Sequence, residues 1–307
     1  MEKVIVVIGP TSVGKTKMGV DLAKKFNGEV ISGDSMQIYK QMDIGTAKVT
    51  EEEKEGIIHH CVDILNSDET YSVHDFQQTV RKKITEITQR GHVPIIVGGT
   101  GLYIKAALYD YQFDEMENDH HAINEKYKDY TNEQLHDHLK SIDEESAKIL
   151  HFNNRRRVLR AIEIYETTGK RKSEMLEEQE HICLYDAYFV GLTLPRDVLY
   201  ERINKRVDVM MENGLKEEME RLYSQGLTRN HQSMKAIGYK EWFDYYDHQI
   251  DLNDVLELIK KHSRQYAKRQ YTWFKNQFDV HWYDVNLENF EQTIEQVTDD
   301  IEKILKV

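Results

Sequence analysis

Eight residues near the start of the chain restrict what it can become more than any other stretch: Gly9-Pro10-Thr11-Ser12-Val13-Gly14-Lys15-Thr16. An apolar run over 4–8 precedes them and a stretch of helical character over 17–26 follows. Strand, glycine-rich loop and helix, in that order, is the context a Walker A phosphate loop requires. Gly9 and Gly14 let the backbone curl until several N–H groups aim at one anion. The positive end of the following helix faces the same point. Lys15 adds a full charge, and the Thr16 hydroxyl is a candidate ligand for a Mg²⁺ carried by the phosphates. Residues 9–16 are therefore expected to cradle a phosphate group, and the loop by itself does not say which one.

Composition narrows the setting. A chain of 307 residues can bury a substantial core, and one domain plus a smaller one is the natural expectation. No run of about 20 apolar residues is present, so no membrane span is expected. The first strand begins almost at residue 1, which leaves no room for a signal peptide. The two cysteines, Cys61 and Cys183, form no CxxC pair, so neither a disulfide framework nor a structural zinc site is indicated. These features suit a reducing cytoplasm. The formal net charge of −13 argues, taken globally, against nucleic acid. It hides two basic zones. One runs through Arg155-Arg156-Arg157 and Arg160 to Lys170-Arg171-Lys172. The other, over 260–275, holds Lys260, Lys261, Arg264, Lys268, Arg269 and Lys275 with no acid among them. Each is either a solvated helix face or a footprint for a phosphate backbone.

Along the chain, strands are expected at 29–32, 93–97, 188–194 and 280–283, with a short extended piece at 60–65. Val73, Phe76, Val80, Ile84 and Ile87 have the spacing of an amphipathic helix over 73–90. A helix is expected at 102–108, and 114–153 has helical spacing with many charges and no β-branched runs. A further helix over 155–167 ends at Gly169, the usual place for a C-cap. Helices are then expected at 197–212, 216–225, 234–246 and 253–276, and from 288 onward. The alternation of strand and helix in the first hundred residues predicts an α/β fold, a P-loop NTPase-like parallel sheet flanked by helices, with an inserted all-helical domain. The core domain is assigned to 1–112 and 186–307, the helical insertion to 113–185.

Three loops, 9–16, 33–37 and 98–101, should meet at the C-terminal edge of such a sheet, where ligands bind. Asp34 is their one carboxylate. It is a candidate metal-shell acceptor, general base or hydrogen-bond acceptor, and equally a candidate helix N-cap. Thr100 is either a functional hydroxyl or a turn residue. His59-His60-Cys61 looks like a metal cluster, but neighbouring strand residues point to opposite faces, which disfavours a shared ion. A P-loop of this size commonly serves an ATP-dependent kinase, yet the strand 94–97 ends in Gly98-Gly99-Thr100-Gly101 where a Walker B acid would stand. A GTPase-like RNA-binding module would need a guanine-reading Asn-Lys-x-Asp sequence, which is absent.

Further blocks follow the phosphate loop in a fixed order. They are Ser32-Gly33-Asp34-Ser35-Met36-Gln37-Ile38-Tyr39, Met42-Asp43-Ile44-Gly45-Thr46-Ala47-Lys48, Tyr71-Ser72-Val73 and Gly98-Gly99-Thr100-Gly101-Leu102-Tyr103. Then come Arg156-Arg157-Val158-Leu159-Arg160-Ala161-Ile162-Glu163, the block 202–211, Ala236-Ile237-Gly238-Tyr239-Lys240 and Ala267-Lys268-Arg269-Gln270-Tyr271-Thr272-Trp273-Phe274. Over nearly the whole chain this series resembles the bacterial tRNA dimethylallyltransferases, also called tRNA isopentenyltransferases. The resemblance implies transfer of a dimethylallyl group from dimethylallyl diphosphate to N6 of adenosine 37, beside the anticodon. Residues Gly9, Pro10, Thr11, Ser12, Val13, Gly14, Lys15 and Thr16 would then hold the diphosphate, with Mg²⁺ on Thr16. Arg206 would reach the same diphosphate, Asp34 would take the proton of the adenine amine, and Thr100 would hydrogen-bond near the base. For tRNA the resemblance implies contacts from Asp34, Ser35, Met36, Gln37 and Thr100 in the pocket. It adds Arg156, Arg157, Val158, Leu159 and Arg160, then Lys235, Lys240, Lys268 and Arg269 along the backbone. A monomer without the zinc-finger extension of eukaryotic relatives is expected. Where the family carries an arginine near position 123, this chain reads His120-His121-Ala122-Ile123-Asn124.

Overall fold

The computed structural model describes residues 1–111, 120–177 and 181–305; part of the stretch 114–153 expected to be helical therefore lies outside the described residues. The chain forms two compact units, one made of Met1–Tyr109 with Cys183–Val307 and the other of Asp110–Ile182.

The first unit opens with β1 (Lys3–Ile8), α1 (Lys15–Lys25), β2 (Gly28–Ser32), a short α2 (Glu51–Lys54), β3 (His59–His60), α3 (Val73–Gln89), β4 (Val93–Val97) and α4 (Gly101–Leu108). The second unit is helical: α5 (His120–Lys126), α6 (Asn132–Ile142), α7 (Glu144–Ile149), α8 (Arg155–Thr168) and α9 (Lys172–Glu177). The chain then completes the first unit with β5 (Asp186–Thr193), α10 (Arg196–Glu212), α11 (Leu215–Ser224), α12 (Trp242–Tyr246), α13 (Leu252–Gln277), β6 (His281–Asp284) and α14 (Phe290–Leu305). A two-residue antiparallel bridge, Tyr109 opposite Cys183, marks where the chain leaves and re-enters this unit.

The six strands form one sheet in the order β3-β2-β4-β1-β5-β6, and every pair is parallel. This is the α/β parallel sheet that the sequence pattern predicts. The side chains of β1 show why it is central. Val4, Val6 and Ile8 enter the core on one face of the sheet, while Ile5 and Val7 enter the core on the other. A strand buried on both faces is apolar throughout instead of alternating. The first core is closed by α3, α4, α11 and α13 through residues such as Phe76, Ile104, Met219 and Phe274. The second is closed by α1, α10 and α14 through Leu22, Ile203 and Val297. Each fully buried aliphatic side chain is worth roughly 1.5–3 kcal/mol.

The helical unit has its own core of Ile123, Tyr127, Leu135, Leu139, Val158, Leu159 and Ile162. Its helices start where chemistry dictates. Thr131 and Gln134 form a reciprocal capping box at α6, and α8 stops at Gly169 with φ 71°, as expected for a C-cap.

Two expectations are corrected. The helix expected over 234–246 is a 3₁₀ turn at Ser233–Lys235, a turn, and then α12. Ala236 is extended and Gly238 has φ 98°, both incompatible with a continuous helix. The turn is held by local side chains: Glu241 Oε2 accepts the Gly238 N–H at 2.9 Å, and the Trp242 indole donates to the Gly238 carbonyl at 2.9 Å. The extended piece expected over 60–65 contracts to β3, because Cys61 and Asp63 adopt φ 61° and 54° and turn the chain off the sheet.

The sheet brings the site loops together by backbone contact. Gly33 N–H donates to Val97 O at 2.8 Å, and Thr100 N–H donates to Gly33 O at 3.2 Å. A Cβ on Gly98 would stand 2.3 Å from the Gly33 carbonyl carbon. Neither backbone has a flexible atom with which to yield. Gly98→Ala is therefore expected to lower stability by roughly 1–3 kcal/mol, read as a shift in urea midpoint at constant m-value.

Candidate active site

The phosphate loop is strained where it must curl. Gly9 has φ 144° and Gly14 φ 104°, and Ser12 takes φ 66°. A Cβ at Gly9 would meet the Leu192 carbonyl oxygen at 2.5 Å, so the loop lies directly against β5. The helix starts at Lys15, two residues earlier than periodicity suggests, because Gly14 in the left-handed region ends the loop. Lys15 Nζ donates to Pro10 O at 2.7 Å and so arches over its own loop.

Two cavities of the first unit meet around this loop. The larger, about 560 Å³, is lined by polar and cationic residues that include Ser12, Lys15, Thr16, Arg202, Lys205 and Arg206. Apolar groups from Val30, Ala47, Val49, Val97 and Val209 also line it. The second, about 340 Å³, is bounded by Ser35, Met36, Ile203, Val207, Met210, Ile237, Ile259 and Tyr266, with Lys235, Lys240 and Arg269. Thr11, Ser12, Asp34, Thr46, Ala47 and Arg206 belong to both linings. Asp34 and Arg206 thus stand where a cationic chamber meets a largely apolar one.

Helix α10 makes the division. Arg202, Lys205, Arg206 and Val209 form one stripe at helical spacing and face the larger cavity, while Ile203, Val207 and Met210 turn to the second. Arg202 Nε donates to Ser12 O at 3.0 Å, and Arg206 donates to Thr11 Oγ1 at 3.3 Å. Sequence reasoning singled out Arg206 and missed Arg202 and Lys205, although their spacing from Arg206 was the available signal.

Asp34 is not a helix cap, for no helix follows it. Its Oδ1 accepts the Met36 N–H at 2.9 Å, which closes an Asx turn and fixes the carboxylate. Thr100 precedes α4 without capping it. Its Oγ1 accepts the Ser35 N–H at 3.1 Å and lies 3.3 Å from Ser35 Oγ, tying the loop 98–101 to the loop that carries Asp34. Burial pushes the Asp34 carboxyl up from its ordinary value against the pull of Lys15 and Arg206. The same burial pulls Arg206 down, and it pulls Lys15, beside the Arg206 guanidinium, down to about 7.

The block 42–48, whose role the sequence left unstated, forms part of the wall shared by both cavities through Thr46 and Ala47. It is held from outside. Glu218, 2 % exposed, accepts the N–H groups of Asp43, Ile44 and Gly45 and the hydroxyl of Tyr239. Lys48 donates to Tyr39 O, Asp43 and Asp63. Nothing local in the sequence marks Glu218, a buried acid on an otherwise ordinary amphipathic helix.

Of the residues assigned to RNA, Lys235, Lys240 and Arg269 line the second cavity, and Lys268 lies exposed on α13 outside it. In the helical unit Arg156 and Arg157 are exposed, and Arg160 pairs with Glu163 at 2.8 Å. Val158 and Leu159 are corrected: at 0 % and 5 % exposure they are core residues of that unit and offer no side chain to a partner. His59 and His60 bond separately, to Ile57 O at 2.9 Å and to Glu29 Oε2 at 2.6 Å. Among the described residues no three His, Cys, Asp or Glu side chains gather as a metal site. No helix of the described residues is long and apolar enough to cross a membrane.

A parallel sheet with a glycine-rich loop after its β1 strand, a half-buried carboxylate on the neighbouring loop and a cationic stripe on α10 place the molecule in the α/β class with a candidate anion site at the strand ends. Comparison with known proteins makes this specific. A family model described as IPP transferase matches residues 37–277, and the chain belongs to that family. A tRNA dimethylallyltransferase of Bacillus cereus (strain AH187) is 55% identical over 287 residues, covering 92% of this chain and 90% of the relative. The crystal structure of a tRNA delta(2)-isopentenylpyrophosphate transferase from Staphylococcus epidermidis is 47% identical and superposes with TM-score 0.74, covering 99% of both chains. A eukaryotic dimethylallyltransferase acting on tRNA is 33% identical, with TM-score 0.86 over 99% of this chain and 79% of that one. The ATP-dependent kinase reading has no support among these relatives.

The depressed Lys15 would make the binding of an anion in this loop proton-linked. A bound anion favours the charged ammonium, so its pKa rises on binding. Binding is then full-strength below pH 7, and above it requires uptake of a proton. Calorimetry with inorganic diphosphate at pH 8, in buffers of different ionisation enthalpy, should show about one proton more taken up by the wild type than by Lys15→Met. Equal uptake would contradict the assignment.

Proposed function

We propose that the chain transfers a dimethylallyl group from dimethylallyl diphosphate to N6 of adenosine 37 in the anticodon stem-loop of tRNA, releasing diphosphate. One observation carries this reading: Asp34 and Arg206 sit where the chamber of Lys15, Thr16 and Arg202 adjoins the chamber of Met36, Tyr266 and Arg269. A donor with a polyanionic head and an apolar tail suits the larger chamber, whose lining holds both cations and valines. A flipped purine suits the smaller one, whose basic residues can hold the flanking phosphates.

The chemistry follows from that placement. The exocyclic amine is a weak nucleophile because its lone pair is delocalised into the ring. Asp34 orients the amine and accepts its proton while nitrogen forms a bond to C1 of the dimethylallyl group. The C1–O bond breaks and its electron pair leaves with the diphosphate. Lys15, Arg206 and the loop N–H groups stabilise the charge that develops there. A carboxylate whose pKa is raised by burial is the better proton acceptor. Thr100 acts through Ser35 to hold the Asp34 loop.

The cradle fits a Mg²⁺ ion. Thr16 lines the larger cavity, and the buried Ser12 Oγ there has no protein partner. With no cluster of acidic ligands among the described residues, the ion would be held largely by diphosphate oxygens. Bound there, Mg²⁺ supplies Lewis-acid stabilisation of the leaving group. For tRNA, Arg156, Arg157 and Arg160 of the helical unit, with Lys235, Lys240, Lys268 and Arg269, provide the phosphate contacts. The enzyme is assigned as a cytoplasmic monomer.

Incubation with labelled dimethylallyl diphosphate, Mg²⁺ and an anticodon stem-loop carrying A36-A37-A38 should place label in the RNA. ATP turnover without label transfer would overturn the reading. Asp34→Asn should lower kcat by about 10²–10⁴-fold while stem-loop affinity, read by filter binding, stays within about twofold. Near-normal transfer would return Asp34 to a purely structural part.

A further inference from the structure

The diglycine loop is packed against α13 by three residues one helical face apart. A Cβ on Gly99 would stand 2.1 Å from Gln270 Nε2, and a Cβ on Gly101 would stand 2.2 Å from the Trp273 ring. The Tyr266 hydroxyl donates to Gly99 O at 3.2 Å. Residues 266, 270 and 273 are spaced i, i+4, i+7, a single stripe on the helix. The side chain of Gln270 does more than pack. It is 5 % exposed, and its two ends reach different loops. Nε2 donates to Gly99 O at 3.0 Å, and Oε1 accepts the Thr11 N–H at 3.0 Å.

Thr11 is thereby fixed from both sides. Its amide is taken by Gln270 of α13 and its hydroxyl by Arg206 of α10. The Thr11 N–H is accordingly turned to Gln270 and not to an anion in the cradle. Gly99 leads directly into Thr100, which holds Ser35 and so the Asp34 loop. One buried amide therefore links the loop that holds the leaving group to the loop that supports the base. Only an amide can do this. A carboxylate lacks the donor for Gly99 O, and an apolar side chain leaves the Thr11 N–H without its acceptor and Gly99 O with the Tyr266 hydroxyl alone.

We infer that Gln270 is a positioning residue for the transfer reaction, setting the spacing between the diphosphate cradle and Asp34 by joining Thr11 to Gly99. This rests on the function proposed above. Near-attack geometry is sensitive: misplacement by about 1 Å costs on the order of 100-fold in rate. Binding of either substrate alone does not require the two loops to be in register. The role should therefore appear in kcat and not in the separate affinities.

Gly99 provides an independent route to the same contact. Its φ lies outside the left-handed region, so alanine suits the backbone and conflicts only with the Gln270 amide and its surroundings. The experiment compares wild type, Gln270→Met, Gln270→Ala, Gly99→Ala and the double variant Gly99→Ala/Gln270→Ala. Single-turnover transfer rates are measured alongside Kd for inorganic diphosphate and Kd for the stem-loop. Gln270→Met and Gly99→Ala should each lose about 30–100-fold in rate, with both Kd values within about threefold. In the Gln270→Ala background, Gly99→Ala should cost less than about twofold more, since contacting residues couple. Transfer by Gln270→Met within twofold of wild type would overturn the inference, as would single losses that simply multiply in the double variant. Should Gln270→Met fail to fold, the Gly99→Ala cycle decides alone. A wild type that transfers no label defeats the proposed function itself, which separates the two failures.

Discussion

Everything in the site depends on parallel pairing at the centre of the sheet. β1 pairs with β4 in register from Ile5 with Ile95 to Val7 with Val97, and β4 pairs with β2 from Gly28 with Val93 to Ser32 with Val97. Three strands that run the same way end at the same edge. Their next residues are Gly9, Gly33 and Gly98, and the last two touch backbone to backbone. A phosphate cradle, a carboxylate loop and a diglycine turn thus share one edge before any side chain acts. The later helices α10 and α13 then close over these loops with Arg202, Arg206 and Gln270.

Burial gives these groups their chemistry. A half-buried lysine, arginine and aspartate lie close together where the two cavities meet, and desolvation shifts each toward its neutral form. In water such groups would interact weakly. Under the proposed function, an anion in the cradle would recharge Lys15, and an amine beside Asp34 would meet a carboxylate more basic than usual.

Different parts of the molecule were legible to different degrees. The strands β1 and β4 announce themselves because a strand buried on both faces must be apolar at every position. The phosphate loop is legible because its glycines, lysine and threonine act within eight consecutive residues. The helix expected over 234–246 failed because the pattern of apolar residues persists through a turn fixed by Glu241 and Trp242. Val158 and Leu159 lay inside a basic block, and only packing shows that the arginines face out while these two face in. Gln270 stood in the last of the sequence blocks without a role, because its partners are 259 and 171 positions away.

The sequence by itself determined the α/β class and placed a glycine-rich loop and one carboxylate at the ends of neighbouring strands, since those follow from local periodicity and short-range geometry. Tertiary structure alone decided that Asp34 closes an Asx turn instead of capping a helix, that Arg206 belongs to both chambers, and that Glu218 and Gln270 hold the loops. The physical reason is range. Backbone curvature and burial pattern are written in neighbouring residues, whereas a hydrogen bond that closes over a cleft depends on how distant helices pack.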